Sequence, residues 1–403
     1  MMERQREIKV GVPDGTAESL LDEAIADLLA RDAVEFPPYP AIALKIGALV
    51  RGGDFGLDEL ARLVTSDQSL ASDVLRVANS AVYSLGTPTA SIPQAVSRIG
   101  AAELSRIALA SALGATALAR GPLAVLRRRV WRDALSSSLL CRELARVRGL
   151  QPEDAFTCGL LHDFGRVIAI GAIERISGGG RLGRPMSAQF WTAVVDRHHV
   201  LLGATLAERW DLPVVVKDAI ELHHDETSED AESPEMLDVV RIVDPLVQLL
   251  RDRSYLQAGL QAVRALSEQD GEALRRTLRA LPGFLASFER EPSSGDASLL
   301  EPEERPTPQI QPEDSRVRYR IAGQEYDATG FGPHQLFVRG PVPLPEEMLL
   351  EVEALHVPGL VFHARVLLCW PEGSQSGALL MPFALTGPAL LHWQGLVPAG
   401  GAA

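Results

Sequence analysis

Two ionisable residues stand side by side in an apolar run: His162 and Asp163, inside "AFTCGLLHDFGRVIAIG", residues 155–171. Charged groups are costly to bury unless something pairs with them. An imidazole beside a carboxylate is also a donor set for a metal ion. Of the nine histidines, five lie between positions 162 and 224: His162, His198, His199, His223 and His224. A solitary helical histidine is ordinarily a hydrogen-bonded core or surface group, so the grouping, not any one ring, carries the reading.

Helical spacing turns these groups inward. His162 follows Cys158 by four residues, and His199 precedes Leu202, Leu206 and Trp210. Val216 and Ile220 lead to His223 and His224 at the same period. The spacing predicts imidazoles converging from three helices, joined by the carboxylates of Asp163 and of Asp244 in "RIVDPLV". Such a pocket suits Mn, Fe, Zn or Mg, according to how many ligands it offers. A carboxylate such as Asp163 could bridge two ions for phosphoester hydrolysis.

The elements that must position these groups are mostly helices. Residues 1–35 read as a helical extension ending before "FPPYP", residues 36–40, where three prolines forbid helix. From Ala41 to about His224 the apolar period is helical throughout, with Leu60, Leu63, Val64, Leu70, Val74 and Leu75 as one example. Pro152 with Glu153 and Asp154, and later Pro213, look like helix starts. Helices resume from Met236 to about Phe288, so 36–288 is predicted to be one all-α domain. Residues 291–315 hold five prolines and seven acids against one arginine. That composition predicts an acidic, Pro-rich linker over 289–315. Beyond it, residues 316–398 alternate and are cut by Gly and Pro, which predicts a small all-β domain, a barrel or sandwich.

Composition excludes several classes. The net charge of −14 is local: residues 225–235 hold six acids and no base, and 291–315 contribute another −6, leaving −2 elsewhere. A nearly balanced surface does not track the phosphates of duplex DNA. Cys141, Cys158 and Cys369 form no Cys-x-x-Cys pair, and each lies in an apolar run, as expected of reduced thiols in a cytoplasmic protein. The N-terminus lacks a signal-peptide core, and "IALASALGATALA" is too short to span a bilayer. No membrane association is expected.

The stretches "FPPYPAIALKI", "DQSLASDVLRVANSAVYSL", "SIPQAVSRIGAAELSRIALA", "GLLHDFGRV" and "HHVLLGATLAERWDLPVVVKDAIELHH" resemble the HDOD family, relatives of HD-type metal phosphohydrolases found in bacterial signalling proteins. The resemblance runs from about Phe36 to His224 and implies an N-terminal helical lobe packed on an HD-like lobe. It implies His162, Asp163, His199, His223 and His224 as metal ligands, with Asp244 closing the set. Two positions depart from the pattern. Asp133 in "VWRDALSSSLL" stands where the family usually has a histidine, though a carboxylate can still ligate. Arg166 stands where catalytic relatives have lysine; it cannot lose its proton but can bind phosphate through its planar fork. Asn79 and Ser80, in "LRVANSAVYSLG", either cap a helical turn or contact a ligand.

"RVRYRIAGQEYDATGFGPHQLFVRG" resembles the PilZ domain that binds cyclic diguanylate. Arg316 and Arg320 match its Arg-x-x-x-Arg, and Asp327, Thr329 and Gly332 its Asp-x-Ser-x-x-Gly with Thr for Ser. Arg316, Arg318 and Arg320 alternate, which predicts one solvated strand face. Three functions follow as expectations. The first is a non-catalytic signalling output module working with kinases, response regulators or second-messenger enzymes. The others are an HD-type metal-dependent phosphohydrolase and a cyclic diguanylate receptor acting through the β domain.

Overall fold

The computed structural model describes residues 14–53, 55–80, 82–83, 86–177, 186–225, 231–251, 256–288, 317–332, 335–344, 349–372 and 374–383. The expected linker 289–315 and Arg316 lie outside the described residues. The chain divides into two compact units between Thr277 and Leu278.

The first unit is all-α. It comprises α1 Asp14–Ala30, α2 Ala41–Gly52, α3 Leu57–Thr65, α4 Gln68–Asn79, α5 Ile92–Ile99, α6 Ala101–Ala117 and α7 Ala124–Val147. There follow α8 Pro152–Leu161, α9 Gly165–Ser177, α10 Ala188–Arg209, α11 Val214–Leu222, α12 Pro234–Arg251, α13 Leu256–Arg264 and α14 Glu268–Phe288, within which the division falls. Helix starts follow local chemistry. The Asp67 carboxylate caps α4 by accepting from Leu70 N at 2.9 Å, and Ser187 caps α10 by accepting from Phe190 N at 3.1 Å. Pro152 opens α8, with Glu153 and Asp154 in its first turn.

The "FPPYP" segment is fastened to the end of α10. Trp210 Nε1 donates to Pro37 O at 2.9 Å, and the Tyr39 ring meets Trp210 edge-on at 5.1 Å. Asn79 acts neither as a cap nor as an open ligand contact: its amide donates to Thr89 O and accepts from Thr89 N, both at 2.8 Å, which pins the loop after α4. Ser80 bonds back to Val77 O at 2.8 Å.

Close helix crossings rest on glycines. A Cβ on Gly165 would lie 2.0 Å from His199 O, and one on Gly203 would lie 2.8 Å from Ile220 Cγ2, so the first turn of α9 and the middle of α10 meet backbone to backbone. Gly159 on α8 sits equally close to Ser137 O of α7. The stretch Pro152–Ser177, α8 and α9 with the turn between them, is longer than the "IALASALGATALA" run and matches a bilayer span in length; 89 % of its most apolar 18 residues are buried inside the protein. It is a core element of this fold.

The second unit contains a closed antiparallel barrel in the order β1-β2-β3-β6-β5-β4. Its strands are β1 Arg318–Ile321, β2 Gln324–Gly332, β3 Gln335–Gly340, β4 Leu349–Ala354, β5 Val361–Glu372 and β6 Gln375–Phe383. β1 closes the ring by pairing with β4, Arg320 opposite Glu353. Ala322 and Gly323 join β1 to β2 with φ of 48° and 78°, the twisted two-residue turn suited to hairpins. Tyr319, Ile321, Tyr326, Phe331, Val338, Val366 and Leu380 fill the interior. Arg318 and Arg320 face outward, as their alternation predicts.

Candidate metal centre

The donors come from four places. His162 is the C-cap residue of α8, and Asp163 sits in the turn before α9. His199 lies in the middle of α10, His223 and His224 follow α11, and Asp244 lies on α12. The Gly165–His199 backbone contact is what brings the Asp163 turn onto α10.

Asp163 is the hub. Its Oδ1 lies 3.3 Å from His199 Nε2 and 3.6 Å from His223 Nε2. Its Oδ2 lies 3.6 Å from His162 Nε2 and 3.0 Å from Arg166 Nε. His162 Nε2 is also 3.6 Å from Asp244 Oδ1, and His224 Nε2 is 3.2 Å from His199 Nε2. Two donor groups therefore share Asp163: one adds His199, His223 and His224, the other His162 and Asp244. Within each group the donor atoms all lie within 4.8 Å of one another.

The other ring nitrogens fix the tautomers. His162 Nδ1 donates to Gly159 O at 3.0 Å, His199 Nδ1 to Asp196 O at 2.7 Å, and His223 Nδ1 to Ile220 O at 3.0 Å. A carbonyl only accepts, so each neutral ring keeps its lone pair on Nε2, aimed into the pocket. His199 Nε2 and His223 Nε2 then face each other at 3.5 Å, lone pair to lone pair, beside an anionic oxygen. A proton, a cation or a donating water relieves that arrangement. His162 Nε2 and Asp163 Oδ1 are likewise buried without a hydrogen-bond partner. The residues present fit a cation.

Charge balance shows the same demand. Burial would raise the Asp163 carboxyl, but Arg166 and then His162 hold it well below the usual carboxylate range. Asp244 is lowered against its own burial, chiefly by His162. Burial also opposes a charge on His162, yet Asp163 and Asp244 outweigh it and raise its pKa. His199 moves the other way: burial pushes it down to about 4 despite Asp163. Burial, then His223, also lowers His224. Arg166 donates to Asp196 as well as pairing with Asp163, so a permanent positive charge is already built in beside the hub.

Asp133 is half-buried and belongs to neither donor group; it lines a cavity of about 10 Å³ together with Ser137, Asp163, Arg166 and Asp244. His198 turns away from the pocket and pairs with Asp22 of α1 at 2.7 Å. Asp196 and Gln248 escaped the sequence reading. Asp196 holds both Arg166 and His199, and Gln248 Nε2 donates to Asp244 Oδ1 at 2.7 Å. Their signal was positional, one helical turn from a ligand on the same face. In the barrel, Arg320 pairs with Glu353 at 2.6 Å, while Asp327 stands opposite Arg318 on β1 and Arg339 on β3. Thr329 falls at the β2 irregularity between Ala328 and Gly330, and Gly332 pairs with Gln335.

The helical unit thus carries a buried pocket of His and Asp donors. Residues 36–226 match the HDOD domain, and the chain carries one. An uncharacterized protein of Treponema pallidum (strain Nichols) is 26 % identical over 284 residues, 68 % of this chain and 53 % of that protein, so the chain spans about half the length of this curated relative. A Shewanella amazonensis SB2B structure, described as a candidate metal-dependent phosphohydrolase, aligns at 23 % identity and TM-score 0.55 over 68 % of this chain and 99 % of its own. That likeness is one of fold. A Geobacter sulfurreducens HDOD domain protein with unknown function aligns at 22 % identity and TM-score 0.48, over 68 % of this chain and 98 % of its own.

Proposed function

We propose that the helical unit is a signal-transduction output module of the cytoplasm. In this reading its His/Asp pocket holds one divalent cation as a structural and regulatory cross-link, and hydrolyses nothing. The observation that carries it is the lack of room beside Asp163. His162, Asp163 and His223 are 1 %, 8 % and 5 % exposed, His224 alone of the donors is exposed, and the cavity that Asp163 lines with Asp133, Arg166 and Asp244 is about 10 Å³. That is the room of a single water, far short of a phosphoryl group with its attacking water. Closed donor sets are typical of structural sites, whereas catalytic ones keep a position open to substrate.

Asp163 Oδ1 with His199, His223 and His224 would hold the ion. When bound, the ion supplies the positive charge that ties α10, the end of α11 and the turn before α9 together. Asp163 Oδ2 is already engaged by Arg166, which favours one ion over two. Partners would then be other signalling proteins, recognised by surfaces whose shape depends on the filled pocket.

The second reading is a two-ion phosphohydrolase, favoured by the separate His162–Asp163–Asp244 group. Metal content of the full chain, purified without added metal and after loading with Mn, Fe, Zn or Mg, separates the two. The expected result is one equivalent, lost in His199→Ala, with no cleavage of bis(p-nitrophenyl) phosphate. Two equivalents with phosphodiester cleavage would replace this reading by the second.

A further inference from the structure

Arg166 lies in the first turn of α9, 6 % exposed, with its guanidinium against the hub of the pocket. Its Nε is 3.0 Å from Asp163 Oδ2, and its Nη1 donates to Asp196. Among the described residues that line the small cavity here, it is the one basic side chain facing three carboxylates, those of Asp133, Asp163 and Asp244. His162 stands on the same side of Asp163 and is 1 % exposed. Its Nε2 is 3.6 Å from Asp163 Oδ2 and 3.6 Å from Asp244 Oδ1, and it has no hydrogen-bond partner.

A ring lone pair set between two carboxylate oxygens is a donor set for a cation. Carboxylate oxygens accept from more than one partner, so the arginine does not use up every lone pair of Asp163. Charge is what it supplies. A guanidinium keeps its proton, so its positive charge is permanent. At ion-pair distance it both balances Asp163 and repels a second dication. We infer, resting on the single-cation reading above, that Arg166 stands in for a second cation and so sets the number of ions the pocket takes. Replacing it with a neutral residue leaves His162, Asp163 and Asp244 as a site for a further divalent ion, with Asp133 beside them. One imidazole with carboxylates is a harder donor set than the three imidazoles on the other side of Asp163, so Mn²⁺ or Mg²⁺ suits it better than Zn²⁺.

The test is a count of Mn²⁺ bound to the full chain and to its Arg166→Gln variant, by equilibrium dialysis with elemental analysis. Arg166→Gln should bind one ion more than the parent, with a Kd roughly tenfold or more below that of any further ion on the parent. In electron paramagnetic resonance the added ion should broaden the signal of the first, since ions sharing one carboxylate lie about 4 Å apart. Mn²⁺ should also raise the thermal midpoint of Arg166→Gln more than that of the parent, because the ion restores the charge that the substitution removes. No gain over the parent, a gained ion that leaves the first signal undisturbed, or a variant that stays unfolded in millimolar Mn²⁺ would each overturn the inference. The parent's own count tests the single-cation reading, whereas the difference between the two proteins tests the role of Arg166.

Discussion

At the scale of single residues, the pocket is defined by what its atoms lack. Three rings spend their Nδ1 protons on carbonyls one turn back, and their Nε2 lone pairs face Asp163. Without a cation, protons carry the balance, and His199 and His162 respond in opposite senses. His199, lowered to about 4, stays neutral in the folded chain where the unfolded chain protonates, so stability falls as pH drops from about 6.5 towards 4, by up to ~3 kcal/mol. His162 is raised, so its contribution is complete below about 6.5 and is lost as pH rises through its folded value. Asp163 and Asp244, both lowered, add stability above about 4 that is lost in stronger acid. The cation-free chain should therefore be most stable close to pH 6.5. Urea midpoints measured in chelator across pH 5 to about 8.5 check this, and a midpoint still climbing at the alkaline end would refute it. Added divalent cation should reduce the alkaline loss, because an ion on Asp163 Oδ1 balances the same carboxylate that the His162 proton faces at Oδ2.

At the scale of elements, backbone proximity decides whether those residues meet at all. The Gly165 Cβ position lies 2.0 Å from His199 O, a main-chain atom that no rotamer change can move. Gly165→Ala should force α9 and α10 apart, lower stability by about 3 kcal/mol, and weaken cation binding at the same time. Gly171, two turns along the same helix, has open space, so Gly171→Ala should raise stability by up to ~1 kcal/mol. Thermal midpoints and metal titration of the pair give the answer; equal behaviour of the two alanines would show that the crossing does not matter. This level was only partly legible in the sequence. Periodicity located the helices, because apolar burial repeats at their pitch, and it placed His199 facing inward at Leu202 and Leu206. It placed His199 and not His198 on that face, but it could not supply the partner of His198, Asp22 of a helix far away in sequence. Nor could it tell that His162 and Asp163 occupy a turn, because Gly165, where the turn ends, reads equally well as a glycine inside a helix.

At the scale of the whole molecule, the change from a helical to an alternating pattern was legible at about residue 316, and the outward row of Arg318 and Arg320 followed from period two. Ring closure was not, because alternation gives strands and faces but not which distant edges join; β1 finds β4 across about thirty residues. Closure depends on a packed interior, and Gly340 at the end of β3 marks where it is tightest. A Cβ there would come 2.2 Å from the ring of Tyr326, whose hydroxyl donates to Val342 O at 2.9 Å. Tyr326 is buried and cannot step aside without breaking that bond and opening the core around Phe331 and Leu336. Gly340→Val should therefore destabilise the barrel by about 3 kcal/mol or more, through overpacking and a lost buried hydrogen bond. Hydrogen exchange should show it as lost protection in β2 and β3. The cation equivalents bound by the helical unit should stay the same, since every donor belongs to that unit. Protection retained in β2 and β3 would mean that Tyr326 can repack, and that the glycine is not what closes the ring.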